Sequence, residues 1–486
     1  MIGSSIAFSH RSSARWAALA LVVAAQFMVV LDISIVNVAL ATIKSDLRFS
    51  ETGLQWVVSA YAITFGGFLL LGGRLADLLG RRRVFVAGIA VFTVSSALAG
   101  LAWSSTSLVA FRGLQGIGGA LFAPAGLSLL MTIFREGRER NLALGIWGAA
   151  SGSGAAVGVL LGGLLTSYLS WPWIFYLNVP VGLALVVLAP RRLPESRGDG
   201  QRHFDLAGAT SVTASLMLLV YGLTRATQNG WGSGSTIALL GVSALLAAAF
   251  VLVERRAAHP LLPFQVFRGN TLAVGTLITC VISGIAFSQF FLLTLYLQQV
   301  LHYSAARAGL AFAAIAVTVA VTSTVAQGLV TRFGPRRVLA VGLLSAAASQ
   351  ALLVRLPVHA HYVTDLLPSF ILSGVGIGVS FVAVTIAALA GVAPAQSGIA
   401  SGLVNTSRQV GGAVGLAAMT TIAAAATGHA NVISAAATTH GYRVAFAVLA
   451  MLGLVSALAT PALRVHRPRP VTARRDERFE LVEEAA

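Results

Sequence analysis

An all-α membrane protein with fourteen spanning helices is predicted by three observations. Of the 486 residues, 57% are hydrophobic and only 10% are charged. The apolar residues fall into fourteen runs, each near the twenty or so residues that a helix needs to cross a bilayer. A β-barrel, the other spanning architecture, would show segments of about ten residues with polar and apolar positions alternating, and no such alternation is present.

The runs lie near 17–39, 54–72, 84–103, 107–133, 143–166, 173–190, 206–224, 236–253, 271–297, 308–330, 338–355, 366–390, 402–425 and 443–463. The first follows arginines, as a signal peptide would, but it is long and no small-residue cleavage site closes it, so it reads as a retained helix. It contains Asp32. The second runs into the polar loop GRLADLLGRRRV (73–84), from which the third emerges. The fourth carries Arg112 and Gln115, one turn apart, with Gly116, Gly118 and Gly119. The fifth is glycine-rich, with four-residue ladders at 148/152 and 154/158/162 and a further glycine at 163. The sixth opens with WPWIFYLNVPVG (171–182), and the polar stretch RRLPESRGDGQRH (191–203), which has Pro, Gly and charge but no apolar periodicity, ends a first bundle.

The loop after the tenth run, QGLVTRFGPRRV (327–338), repeats the loop after the second when Gly334 is set against Gly80. That offset of 254 positions, at about thirty residues per helix with its connection, spans roughly eight helices. Two six-helix bundles separated by an inserted pair, the seventh and eighth runs, satisfy it. The domain reading is a first bundle over 1–193, a linker with two inserted helices over 194–265, a second bundle over 266–465, and a disordered cytoplasmic tail over 466–486 that alternates Arg, Pro and acidic residues.

The 33 basic residues set the orientation. With the N-terminus inside, outer segments hold only Lys44, Arg48, Arg225, Arg307, Arg355 and Arg443, Arg112 and Arg408 lie within helices, and all the others are cytoplasmic. Both ends are then inside. The net charge of +17 is accounted for by topology and anionic lipid, so a nucleic-acid partner is not implied. Cys280 is the sole cysteine, the nine histidines show no metal-ligand spacing, and no GxxxxGK[ST] loop or catalytic triad is found. No metal, no cofactor and no enzymatic activity are expected.

A charge buried at membrane depth costs at least ~2.5 kcal/mol and is kept for a purpose. Asp32 and Arg112 both lie ~8 Å inside the outer face of the hydrocarbon layer, counting 1.5 Å per residue, so they can pair. Burial favours the protonated carboxyl and a nearby guanidinium favours the ionised one. A carboxylate balanced between the two can take up and release a proton as water access switches sides, and a static ion pair is the alternative. Gln115 can orient that pair or bond a neighbouring backbone. Asp77 can act on a helix N-terminus through the macrodipole, as a latch or a plain cap, while the loop arginines by themselves read as topology signals. The glycine ladders permit close helix approach, with or without motion. Gln26, Asn37, Tyr61, Gln289, Asn405, Arg408 and Gln409 are polar at membrane depth, where such residues usually bond helix to helix. Asn405 and Arg408 are the best second-bundle candidates for a cavity.

Taken together, these stretches resemble the fourteen-helix drug:proton antiporter branch of the major facilitator superfamily. LDISIVNVALATI (31–43) is similar to its first-helix motif, with the acid at Asp32. GRLADLLGRRR (73–83) resembles its gating loop, which implies a gate role for Gly73, Asp77, Gly80, Arg81 and Arg82. LVAFRGLQGIGGALFAPA (108–125) resembles its fourth-helix motif, which places the proton-linked arginine at Arg112. GSGAAVGVLLGGLL (152–165) and WPWIFYLNVPVG resemble the antiporter motif and its continuation, which implies an antiporter role for Gly154, Gly158, Gly162 and Gly163. FDLAGA (204–209), ERRAAHPLLPFQVF (254–267) and SGLVNTSRQVGGAVG (401–415) extend the likeness.

The chain departs from the pattern at Val159, where the family usually has Pro, at Pro172, where it commonly has Arg, and at Thr331, which replaces the second loop's acid. The resemblance implies the major facilitator fold, two six-helix bundles plus two inserted helices. It also implies proton-driven export of amphipathic drugs or antibiotics from a bacterial plasma membrane by a protein working as a monomer. A uniporter or nutrient importer of the same fold is the alternative. Because no membrane acid other than Asp32 is found, neutral, weakly ionised or monocationic substrates are expected rather than dications.

Overall fold

The computed structural model describes residues 2–49, 51–54, 56–197, 206–257, 271–390, 392, 396–427 and 434–462, with side chains from Ala14 onward. The tail assigned to 466–486, the loops at 198–205 and 258–270, and the side chain of Asn37 lie outside the described residues.

Among the described residues every long element is a helix. In chain order these are α1 (Ile2–Asp46), α2 (Trp56–Leu79), α3 (Arg81–Gly100), α4 (Ser105–Ile133), α5 (Arg138–Tyr168), α6 (Asn178–Arg192), α7 (Leu206–Asn229), α8 (Gly234–Arg256), α9 (Thr271–Leu295), α10 (Ala305–Phe333), α11 (Pro335–Leu353), α12 (Leu367–Leu389), α13 (Ser397–Thr427) and α14 (Ala435–Ala459). Thirteen spans among the described residues are long and apolar enough to cross a membrane. The fourteenth helix, α5, has 31 residues, with a described apolar stretch at Val157–Tyr168.

Two boundaries differ from expectation. The first helix runs well past 17–39 at both ends, because polar residues outside the apolar core still favour helix once backbone bonding has begun. The sixth begins with a single turn, Trp173–Tyr176, and its main helix starts only at Asn178.

Local chemistry sets several ends. Ser104 caps α4 by accepting from the Ser107 backbone N–H at 3.1 Å while the Ser107 hydroxyl accepts the Ser104 N–H at 3.0 Å, a reciprocal capping box. Gly80 and Gly334, the residues that align the two loop repeats, precede α3 and α11 with φ of +112° and +83°. Both need a conformation that L side chains rarely adopt. The repeated GxRR sequence therefore encodes a repeated turn.

In the first bundle α1 packs on α5, α2 and α3 pack on α4, and α6 packs on α3. In the second, α9 packs on α13, α11 on α12, α10 on α12, and α14 on α11 and α13. The bundles meet through α5 against α10 and α12, and through α2 and α4 against α13. The inserted α7 lies on α2 and α13, and α8 lies on α7. Lipid is as apolar as leucine, so helix association inside a membrane depends on close packing rather than on water exclusion. A Cβ on Gly118 of α4 would lie 2.6 Å from the Phe92 nitrogen and 2.8 Å from the Gly88 carbonyl oxygen of α3. Phe122 packs edge-on against Phe85 and Phe92 beside this contact, at 6.2 and 5.6 Å between centroids.

Gly118→Val is expected to separate α3 from α4 and destabilise the fold by about 3 kcal/mol, since the clash is with backbone that cannot rotate away. A drop of several degrees in the thermal unfolding midpoint of the detergent-solubilised protein checks this, and an unchanged midpoint refutes it.

Candidate functional site

The carboxylate of Asp32 is wholly buried inside the first bundle. Its Oδ2 accepts from Arg112 Nη1 at 2.7 Å. Its Oδ1 accepts from Gln115 Nε2 at 2.8 Å and from Asn178 Nδ2 at 3.0 Å. Arg112 is held in turn by the Val57 carbonyl (Nε, 3.0 Å) and by Gln115 Oε1 (2.6 Å). Gln115 also donates to Ser96 Oγ at 2.7 Å. The Tyr61 ring lies 4.4 Å from the guanidinium carbon, with Phe175 at 5.7 Å. Five helices, α1, α2, α3, α4 and α6, thus supply one connected polar cluster in an apolar surround.

The spacing explains which side chains meet. Residues 112 and 115 project from one face of α4, so both reach the same carboxylate. Asp32 as an anion has both oxygens filled by three N–H donors, and charge-assisted bonds of this length are the strong kind. Asn178 and Ser96 belong to the site and were not singled out by sequence reasoning. The available signal was an amide in the WPWIFYLNVPVG motif, and for Ser96 only one of three hydroxyls in the turn TVSS (93–96).

The glycine helix shapes the other side of the acid. A Cβ on Gly154 would meet Val30, one on Gly158 would meet Ser34 and the Leu31 carbonyl, and one on Gly162 would meet the Ile35 carbonyl. The 154/158/162 ladder therefore seats α5 against the turn of α1 that bears Asp32. Gly163 is buried on the same helix. With Val159 in place of Pro, α5 runs as one unbroken helix. Gly148 faces Val382 of the second bundle instead.

The loop at 73–84 bridges the bundles. Asp77 is buried at the end of α2 and accepts from the backbone N–H groups of Gly398 (3.2 Å) and Ile399 (3.1 Å), in the first turn of α13. A carboxylate at a helix N-terminus satisfies orphan N–H groups and the positive end of the dipole together. Arg81, also buried, grips Asp77 Oδ1 through Nε (3.2 Å) and Nη2 (2.9 Å). It is therefore more than a topology signal. Gly73 packs so closely on α13 that a Cβ would lie 2.5 Å from the Gly398 oxygen. Arg82 donates to the Pro190 and Leu193 carbonyls, and Glu195 pairs with Arg82 and Arg83. Nearby, the Ser128 and Ser397 hydroxyls bond at 2.6 Å. In the second loop Thr331, at the position equivalent to Asp77, accepts from the Asn141 amide at 3.1 Å and donates to the Gln327 carbonyl at 2.9 Å. Polar bonds across the seam thus gather at the cytoplasmic end.

The remaining membrane-depth residues separate into two groups. Gln26 donates to Ser151 Oγ at 3.0 Å, Gln289 accepts from Gln350 (2.7 Å) and Ser373 (2.9 Å), and Asn405 donates to the Ser401 carbonyl at 3.0 Å. These bond helix to helix or along one helix. Tyr61 covers Arg112 rather than facing the seam. Arg408 lies between bundles, 5.3 Å from the Trp147 ring centroid of α5 and 4.6 Å from that of Phe381 of α12.

The family model of the Major Facilitator Superfamily matches residues 22–416. The chain is 42% identical to the puromycin resistance protein pur8 of Streptomyces alboniger, over 91% of this chain and 90% of that one. It is 39% identical to the cephamycin export protein CmcT of Amycolatopsis lactamdurans, over 94% of each. Among solved structures it is similar in fold to the human organic anion transporter MFSD10 (TETRAN), with a TM-score of 0.64 at 16% identity, covering 92% of this chain and 99% of that one.

Asp77→Ala is expected to leave two N–H groups of α13 without an acceptor and to loosen the cytoplasmic seam, with a loss of roughly 1.5–3 kcal/mol, or tenfold or more in opening. In a Cys280→Ser background, a cysteine at position 128 should then react correspondingly faster with a thiol reagent. An unchanged rate would show that the carboxylate does not hold the seam.

Proposed function

The chain belongs to the major facilitator superfamily, a family of transporters, and we propose that it exports small amphipathic antibiotics or drugs by exchanging them for protons. It is a multi-pass protein of a bacterial inner membrane. Its resistance and export relatives, each matched over nine-tenths of its length, support drug export. The proton step rests on one observation: Asp32 is a buried carboxylate at membrane depth, ringed by three donors, in the bundle that also carries the gating acid.

The chemistry follows from that ring. As an anion Asp32 satisfies Arg112, Gln115 and Asn178 together. Adding a proton turns one carboxylate oxygen into a donor and removes the charge that holds Arg112, so one partner must turn away. Protonation therefore changes how α1 is tied to α4 and α6. Opening of the bundles on the outer side lets water deliver the proton, and opening on the cytoplasmic side takes it away while the drug moves outward, in the rocking cycle that paired bundles allow. Asp77 and Arg81 hold the cytoplasmic seam closed in the state described here, and the 154/158/162 ladder gives α5 a smooth face against α1.

The protein acts as a transporter rather than an enzyme, needs no cofactor beyond the proton gradient, and functions as a monomer in lipid.

Asp32→Asn keeps the size and hydrogen-bonding reach of the side chain but cannot titrate. It is expected to insert and fold normally and to lose proton-coupled export, by at least tenfold in drug-induced pH change across proteoliposomes. Arg112→Ala should impair coupling as well. Wild-type drug flux with no accompanying pH change would identify a uniporter, and unaltered exchange in Asp32→Asn would remove the acid from the mechanism.

A further inference from the structure

Arg408 has chemistry that proton exchange does not use. It lies on α13 eleven residues beyond Ser397, ~16 Å along the helix axis and so near the middle of a ~30 Å hydrocarbon layer. The face of α13 that carries it is turned toward the first bundle. Ser397 bonds Ser128 of α4, and Ser401 donates to Met131 Sδ of the same helix at 3.9 Å. Asn405 and Arg408 continue that face upward at three- and four-residue spacing.

The two membrane arginines differ sharply. Arg112 has a carboxylate, a carbonyl and an amide oxygen bonded to it. Among the described residues Arg408 has no hydrogen bond or ion pair, and its neighbours are two aromatic faces, one from each bundle. A ring face offsets only part of the cost of placing a guanidinium at membrane depth. The indole Nε1–H of Trp147, one of those rings, is also buried without an acceptor. Two donors without a partner among the described residues, one of them cationic, thus belong to residues in contact at the seam, while the carboxylate of Asp32 is already matched by Arg112. The charge at the seam is positive.

We propose that Arg408 and Trp147 form a subsite for the acidic group of an amphipathic organic anion, a carboxylate or sulfonate, carried by the exported molecule. Guanidinium and indole N–H supply the donors, and the Trp147 and Phe381 rings flank its apolar body. Because the donors come from opposite bundles, the anion ties the halves together when bound. This rests on the exporter reading above and narrows the expected neutral, weakly ionised or monocationic substrates to weak acids.

Two dyes on one xanthene scaffold with opposite charge test it: fluorescein and rhodamine 123. Binding to the full-length detergent-solubilised protein is measured by fluorescence anisotropy, and transport is measured in proteoliposomes under a proton gradient. Wild type is expected to bind fluorescein at least tenfold more tightly than rhodamine 123. Arg408→Met should weaken fluorescein at least tenfold while strengthening rhodamine 123. Arg408→Lys should hold fluorescein within about threefold, and Trp147→Phe, which keeps the ring but removes the N–H, should weaken fluorescein selectively. Wild-type preference for rhodamine 123, or equal loss of both dyes in Arg408→Met and Trp147→Phe, overturns the proposal. The two readings fail separately: rhodamine export without fluorescein binding leaves an exporter and removes the subsite, whereas selective fluorescein binding without proton-driven flux leaves the subsite and removes the exporter.

Discussion

The contact between Asp32 and Arg112 is the constraint around which the first bundle is arranged. Inside a bilayer no water is present to share the charge, so the carboxylate must be met by donors from the protein. A buried pair is costly to break by removing one partner. The structure answers with a connected cluster: Arg112 and Gln115 from α4, Asn178 from α6, Ser96 from α3 and the Val57 carbonyl from α2. The bonds to Asp32 tie α4 and α6 to α1, and those of Arg112 and Gln115 tie α2 and α3 to α4. A change in the protonation of one atom therefore bears on five helices together.

The second bundle repeats the architecture without the charge. Ser96 and Gln350 are 254 positions apart, as are Gly80 and Gly334, and Asp77 and Thr331. Gln350 donates to Gln289, which also accepts from Ser373. This is a neutral polar cluster drawn from α9, α11 and α12, where the first bundle has a charged one. The two loops differ in the same sense: Asp77 with Arg81 clamps the α13 N-terminus, whereas Thr331 makes neutral bonds to Asn141 and to the Gln327 carbonyl. The buried carboxylates Asp32 and Asp77 thus both belong to the first bundle. The other half offers Arg408, a fixed charge, at the seam.

Close glycine packing is what brings these groups within reach. The ladder on α5 lets that helix lie on the turn of α1 beside Asp32, and Gly73 lets α2 touch α13 so that Asp77 reaches the Gly398 and Ile399 N–H groups. Pro124 acts similarly within α4. It has no N–H to give the Ala120 carbonyl, and Gly72 of α2 packs directly on that oxygen.

Hydropathy, the placement of arginine and the two glycine-arginine loops determined the helical class, the positions of the spans and the repeat, because lipid leaves a chain few ways to satisfy its backbone. The same reading singled out Asp32 and Arg112, since a charge in an apolar run has no inexpensive structural reason to be there, and Asp77 through the loop motif and its reach to a helix N-terminus. Only the tertiary structure decided what those charges meet. Nothing in the spacing of positions 32, 57, 96, 112, 115 and 178 states that five helices join in one polar cluster around a carboxylate. Nor does the sequence distinguish a guanidinium that is paired, at Arg112, from one that is not, at Arg408. That distinction depends on which helix faces are turned toward each other, and those faces are set by packing between segments far apart in the chain, to which local sequence patterns are blind.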